Sequence, residues 1–311
     1  MDNTGKYVVV VGGVNIDIAG TPFNQLIRHD SNPGKVHLSL GGVGRNIAHN
    51  ISLLGIKTVF LTAFGDDMYA ERIEKSCEEL GIDISRALRV PGGVTSTYLC
   101  INDDEGDMDT AISDMEICEH ITPEYIEKNL DIINSAVAVV MDGNLNEDTI
   151  EYLGENAKAP LFADPVSVTK AHKFRNILGK IHSFKPNAIE AGTLSGINII
   201  DQESAAAAAE KLIQRGLKRV FISMGRIGVF AADEEHSFFQ NSFEADMKNS
   251  TGAGDAFMSG MVWSYIKGLD IYDTAKHATM AAAINTEGEE TINPLLSEKL
   301  IEERLKTVRY S

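Results

Sequence analysis

Asp255 follows two glycines and an alanine in the string Ser250-Thr251-Gly252-Ala253-Gly254-Asp255-Ala256-Phe257. A Gly-rich turn feeding a helix leaves N–H groups unpaired beside the positive end of the helix dipole, an arrangement that favours anions and phosphate above all. A carboxylate next to a bound phosphoryl group can take the proton from an attacking hydroxyl. The same string serves equally well as a connector whose aspartate complements the helix dipole. Nothing local decides between the two.

Three further groups carry matching chemistry. Asn187 and Glu190 stand three positions apart where an apolar run gives way to a helical pattern, so both can face one Mg²⁺ or its waters. They also fit a capping box, in which the two side chains close the start of the helix. Asn15 and Asp17 come just after the run 7–11 and Gly12-Gly13, at the edge where open α/β sheets bind ligands. Asn and Asp are equally ordinary turn formers. Gly41-Gly42-Val43-Gly44-Arg45-Asn46 and the turn 223–228 add more glycines and small polar groups.

These groups need a scaffold that gathers them. Residues 7–11 form a β-branched run of the kind that makes buried parallel strands. Residues 58–63, 136–141, 161–163, 181–184 and 219–223 read as further strands, most of them running into polar or glycine residues. Between them lie helical patterns. One carries Ile47, Ile51 and Leu54 on a single face, and another opens at Asp66 or Asp67. A third is an alanine-rich helix capped by Ser204. A fourth begins near Gly254, with Phe257, Met261 and Tyr265 four residues apart. Two more are expected near 273–285 and 297–306. Repeated strand–helix units predict a doubly wound, mostly parallel sheet.

Segments 18–40 and 96–113 break that rhythm. Residues 35–40 alternate polar and apolar, and 96–101 with 108–112 flank the turn 102–106 as a hairpin. We read the two excursions as one small sheet covering the end of the main sheet as a lid, within a single domain spanning 1–311.

Composition removes several alternatives. Lys plus Arg total 28 against 45 Asp plus Glu, a formal net charge of −17 that argues against binding intact nucleic acid. Cys77, Cys100 and Cys118 are odd in number and widely spaced, which disfavours a disulfide framework or a zinc site. The opening Met1-Asp2-Asn3-Thr4-Gly5-Lys6 lacks the features of a signal peptide, and no apolar run approaches the ~20 residues that span a bilayer, so a cytoplasmic protein without membrane contact is expected. The glycines at 41–44 do not fit the dinucleotide fingerprint, and a nicotinamide dehydrogenase fails on that spacing.

Taken together, the strings resemble a known family. Residues 250–257 are similar to the C-terminal signature of the ribokinase-like, PfkB-type carbohydrate kinases. Residues 41–46 resemble their N-terminal signature, and Asn187-Ala188-Ile189-Glu190 their N-x-x-E motif. The resemblance runs from about Tyr7 to Pro294. It implies a three-layer α/β/α ribokinase-like fold with a mostly parallel central sheet and a small β-lid. It also implies transfer of the γ-phosphoryl group of ATP to a hydroxyl of a small nucleoside or sugar.

By the same resemblance, Asp255 is the general base and the amides of Gly252, Ala253 and Gly254 form the anion hole. Asn187 and Glu190 position Mg²⁺ and phosphates, while Ser223, Gly225 and Gly228 line the nucleotide site with Asn187. Asn15, Asp17, Gly42 and Asn46 hold the ribose, and the lid reads the base, with Asp30, Ser31 and Asp114 as candidates. An exposed lid edge predicts a homodimer. One position departs from the pattern. Asn249 stands where many relatives that bind a monovalent cation carry an acidic residue, which puts potassium dependence in doubt. The competing class is a non-catalytic ligand-binding regulator of the same fold.

Overall fold

The computed structural model describes residues 5–105 and 107–308. Met1 to Thr4, and Gly106 within the expected hairpin turn, lie outside the described residues. Tyr7–Val11 is the hinge of the architecture. It pairs in parallel with Ala138–Asp142 on one side and Lys57–Leu61 on the other. Its valines alternate between two cores. Val9 and Val11 join Val139, Met141 and the helix residues Ile150 and Leu212 on one face, while Val8 and Val10 join Ile47, Phe257 and Met261 on the other. A strand buried on both faces must be apolar at every position, which is why the run is continuous rather than alternating.

The central sheet has nine strands. In spatial order they are Ser237–Asn241, Gly228–Asp233, Arg219–Ser223, Ile181–Phe184, Leu161–Asp164, Ala138–Asp142, Tyr7–Val11, Lys57–Leu61 and Ile82–Asp83. The first three pair antiparallel and the rest parallel. Helices cover both faces, giving the three-layer ribokinase-like fold.

Some local expectations are revised. The strand expected over 58–63 ends at Leu61, and Ala63–Phe64 forms a separate two-residue ladder with Leu88–Arg89. The alanine-rich helix is capped by Asp201, not Ser204. Ser204 sits at its third position, and the two side chains close a capping box. The antiparallel pair at one edge was not foreseen beyond the turn at Gly228.

A second sheet of four strands, Gly34–Gly41, Asn15–Pro22, Thr97–Asn102 and Met108–Asp114, is built from the two excursions. Its register divides it into two unlike faces. Ser39, Asp17, Tyr98 and Ser113 align across the four strands on one face. Leu38, Ile18, Leu99 and Ile112 align on the other, where Leu99 and Ile112, with Val36 beside them, are exposed.

Candidate active site

Parallel strands bring their C-terminal ends to one edge of the sheet, so Gly12-Gly13, Asp142, Asp164 and Lys185 meet although they are distant in the chain. Asp142 ties this edge together. Its fully buried carboxylate accepts the N–H groups of Gly13 at 3.0 Å and Gly44 at 2.8 Å through Oδ2, and that of Asn144 at 2.8 Å through Oδ1. Burial pushes this carboxyl above the ordinary range, while the N–H groups of Gly13 and Asn144, the Asn144 side chain and the Lys170 charge pull the other way. The 41–44 string must be glycine-rich for a steric reason. Gly42 has φ 97°, and a Cβ there would press on Gly13 O and Val14 Cα, while one on Gly41 would run into the Asp17 carboxylate. The N–H of Gly44 is therefore held by Asp142 and is not open to a ligand.

At the other anion turn only two of the three N–H groups stay free, because that of Ala253 donates to Ser250 O at 3.4 Å. Gly252 adopts φ 78° against Thr291 O and starts the helix Ala253–Lys267 with no side-chain cap. The N–H groups of Gly252 and Gly254 have no acceptor among the described residues. Asp255 lies in the first turn, buried, with Oδ2 accepting the amide Nδ2 of Asn46 at 2.9 Å. Burial, reinforced by the nearby Asp164 carboxylate, pushes its carboxyl up to about 7, against the lowering effects of Asn46 and Lys185. A carboxylate poised near neutrality suits a general base. The other amide atom of Asn46, Oδ1, is buried without a hydrogen bond.

Asn15 Nδ2 donates to Asp17 Oδ1 at 2.5 Å, and burial raises the Asp17 carboxyl. Asn187 and Glu190 form a complete capping box, the second of the two readings left open above. Asn187 Oδ1 accepts Glu190 N–H at 2.9 Å and Glu190 Oε2 accepts Asn187 N–H at 2.8 Å. Glu190 Oε1 remains without a hydrogen bond among the described residues. Asn187 also bridges to Ser223, which draws the two halves of the expected nucleotide site together. Gly225 has φ 63° in the turn, whereas Gly228 at φ 139° lets the strand Gly228–Asp233 pass close to Gln240 O. Among the described residues no cluster of three or more His, Cys, Asp or Glu side chains is placed to hold a metal.

Three expected base readers are not gathered here. Asp30 and Ser31 are exposed at the lid tip, where Asp30 Oδ1 accepts the Ser31 N–H. Asp114 accepts the Glu116 N–H, and its register with Thr97 and Ile16 puts it on the face opposite Asp17. A one-residue step along a strand reverses the face, and the sequence string alone did not reveal the phase. Conversely, Asp142, Asp164 and Lys185 stand at strand ends and were not among the expected site residues. The available signal was their recurrence directly after successive apolar runs.

The chain matches the pfkB family carbohydrate kinase model over residues 5–298. It is similar to pseudouridine kinase of Escherichia coli, 40% identical over 94% of each chain. It is also similar to a sugar kinase of uncharacterised specificity from E. coli, 35% identical over 94% of this chain and 81% of the relative. Among solved structures, an Arabidopsis thaliana ribokinase complexed with ribose and ATP superposes with a TM-score of 0.88 at 20% identity, covering 98% of this chain and 100% of the other. That likeness concerns the fold. Among the described residues no helix is long and apolar enough to cross a membrane.

Proposed function

Because the chain belongs to the pfkB family of carbohydrate kinases and is an ATP-dependent kinase, we propose that its acceptor is the 5′-hydroxyl of pseudouridine. The observation that carries the chemistry is Asp255, buried at the free N-terminus of its helix and bonded to Asn46. In this reading the acceptor oxygen attacks the γ-phosphorus of ATP while the bond to the β-bridging oxygen breaks and ADP leaves. The hydroxyl proton passes to Asp255. The amides of Gly252, Ala253 and Gly254 stabilise charge on the transferring group, the kind of contribution that often dominates such catalysis. Asn15, Asp17, Gly42 and Asn46 hold the ribose. Ser223 and Gly225 line the nucleotide site, with Gly228 shaping the adjoining strand. Mg²⁺ would neutralise phosphate charge, with Asn187 and the open Oε1 of Glu190 holding it through its waters.

Pseudouridine is favoured by the 40% identical relative. Within the family, residues 30–35, the Val43 and Arg45 variant, Ser113-Asp114-Met115, Asp164-Pro165-Val166-Ser167 and residues 185–196 also resemble pseudouridine kinase. Pseudouridine differs from uridine in offering N1–H as an additional donor, and an acceptor aimed at it discriminates strongly. With Asp114 on the far face, this task passes to the lid row that contains Asp17: Ser39, Tyr98 and Ser113. Among the described residues the Tyr98 hydroxyl bonds only the Met108 thioether, at 3.2 Å, a weak partner readily exchanged. The opposite lid face, with exposed Val36, Leu99 and Ile112, is our proposed homodimer contact.

The deciding experiment compares ATP turnover on pseudouridine, uridine, adenosine and ribose. A strong preference for pseudouridine is expected, and equal rates on uridine would overturn the substrate. A sugar acceptor is the second reading, kept by the 35% identical sugar kinase.

A further inference from the structure

The anion turn keeps its shape through groups that lie well beyond it in the chain. Gly252 holds φ 78°, and a Cβ there would run into Thr291 O and stand 3.2 Å from Asn285 Nδ2. Thr291 belongs to the loop that leaves the helix Ile271–Thr286, so this loop is the wall against which the turn is bent. Asn285 joins the two. Its Nδ2 donates to Thr291 O at 3.0 Å and to Thr251 O at 3.4 Å, and its Oδ1 accepts the Asn293 N–H at 3.0 Å. The side chain is 0% exposed, and both of its N–H donors are spent on carbonyls.

Asn249 repeats the arrangement on the other side of the turn. Its Nδ2 donates to Glu289 O at 3.1 Å, and its Oδ1 accepts the Thr251 N–H at 2.9 Å. The backbone N–H groups of Lys248 and Asn249 donate to Thr286 O at 2.8 and 3.1 Å. Asn293 secures the far end of the loop, with Nδ2 donating to Ile284 O at 2.7 Å and Oδ1 accepting the Leu295 N–H at 3.0 Å. Residues 249–252 are thus tied to residues 284–293 by neutral amides, and a buried, satisfied network of this kind is stiff. Converging backbone carbonyls can also be held together by a bound cation. Here the oxygens of Thr251, Glu289 and Thr291 each meet the positive end of an amide N–H, and neither Asn249 nor Asn285 carries a balancing charge. These residues do not fit a monovalent cation.

We propose that Asn285 and Asn249 are positioning residues for phosphoryl transfer, their amides clamping the anion turn to the loop 287–293 without a monovalent cation. The clamp sets the direction of the free Gly252 and Gly254 N–H groups. The proposal rests on the reading of Asp255 and the turn before it as the site of transfer.

The test measures kcat, nucleoside KM and melting temperature of the full-length enzyme in KCl, NaCl or choline chloride at equal ionic strength. The variants are Asn249→Ala, Asn285→Leu and Asn285→Asp. The parent should turn over equally in all three salts. Asn249→Ala should lower kcat by about 10-fold with nucleoside KM within about two-fold, because a small misplacement of the turn is felt in the transition state. Asn285→Leu should lower kcat by about 100-fold in every salt, since both donors are lost. Asn285→Asp puts an acceptor oxygen where Nδ2 donates, and a buried carboxylate among carbonyls is stable only when paired with a cation. It should be as slow as Asn285→Leu in choline chloride and recover about 10-fold in KCl or NaCl, with a matching rise in melting temperature. A purely architectural role would move the melting temperature and leave kcat and its salt dependence alone. Asn249→Ala keeps the test decisive where a buried variant fails to fold. Its having the parent kcat overturns the proposal, as does a parent stimulated by KCl over choline chloride, or a folded Asn285→Asp that neither salt restores. Asp255→Asn, assayed alongside, separates the two readings. If it keeps turnover, the site assignment itself falls. If it is inactive while the Asn249 and Asn285 variants behave like the parent, only the clamp falls.

Discussion

The sheet edge around Asp255 and the lid around Asp17 present polar groups in opposite ways. At the sheet edge Asp142 is bound by three backbone N–H groups, Asp164 by Lys185 and Val166, and Asp255 by Asn46. All are buried, so each charge is felt strongly by its neighbours. On the lid, Asp30 and Asp114 bond within their own exposed turns, and the Tyr98 hydroxyl donates to the Met108 thioether. The buried sheet edge is held together by its own hydrogen bonds, whereas on the proposed reading the lid's polar row keeps its hydrogen-bonding capacity for the ligand. On the proposed reading, chemistry shared by the family sits in the buried part and discrimination in the open part, so the acceptor needs a substrate panel.

The sharpest way to break the contrast is Asp255→Asn. Loss of the proposed base should lower kcat by about 10³-fold while the fold survives, measured by steady-state turnover and a thermal melt. An unchanged rate would remove Asp255 from the mechanism. Next is Asp142→Ala, which strands the N–H groups of Gly13, Gly44 and Asn144 in the interior. We expect a loss of about 3 kcal/mol or more in urea unfolding, and a change below ~1 kcal/mol would show that water replaces the carboxylate cheaply.

The pH dependence follows from the raised Asp255 carboxyl. It releases its proton near 7 in the folded chain and near 3.8 when unfolded, so between these values the folded state holds the extra proton. This group's contribution to stability therefore falls as pH rises through that window, while activity grows as pH passes 7. The melting temperature of Asp255→Asn relative to the parent should accordingly climb from pH 5 to pH 8, and a constant difference would mean an ordinary carboxyl.

The smallest effects belong to the lid. Asp30→Ala and Asp114→Ala should alter kcat/KM by less than about two-fold, as surface changes usually do. A larger drop would return them to the base-reading set. Replacing Na⁺ with K⁺ should also change little. Asn249 already spans the local backbone, donating to Glu289 O at 3.1 Å and accepting from Thr251 N at 2.9 Å.

Much of this was readable along the chain because it rests on short-range patterns. The valine run announces a strand covered on both faces, and glycine before an apolar helical period announces the turn at 252–254. Where one pattern had two physical uses, the string could not choose between them. Asn187 and Glu190 are spaced for both a cap and a metal shell, and the structure shows the cap hydrogen bonds formed. Ser204 was assigned the cap that Asp201 makes, because both residue types bind helix N–H groups.

Local periodicity by itself determined the alternating strands and helices, the lid excursions and the location of the anion turn. The proton affinity of Asp255, the Asp164–Lys185 pair and the facing of the lid residues were decided only in three dimensions. Asn46 and Asp255 are 209 residues apart, and they meet because their two helices pack on the same face of the sheet. Asp164 and Lys185 pair because adjacent parallel strands end side by side. Charge interactions depend on distance and burial, and neither quantity exists until the strands are in register.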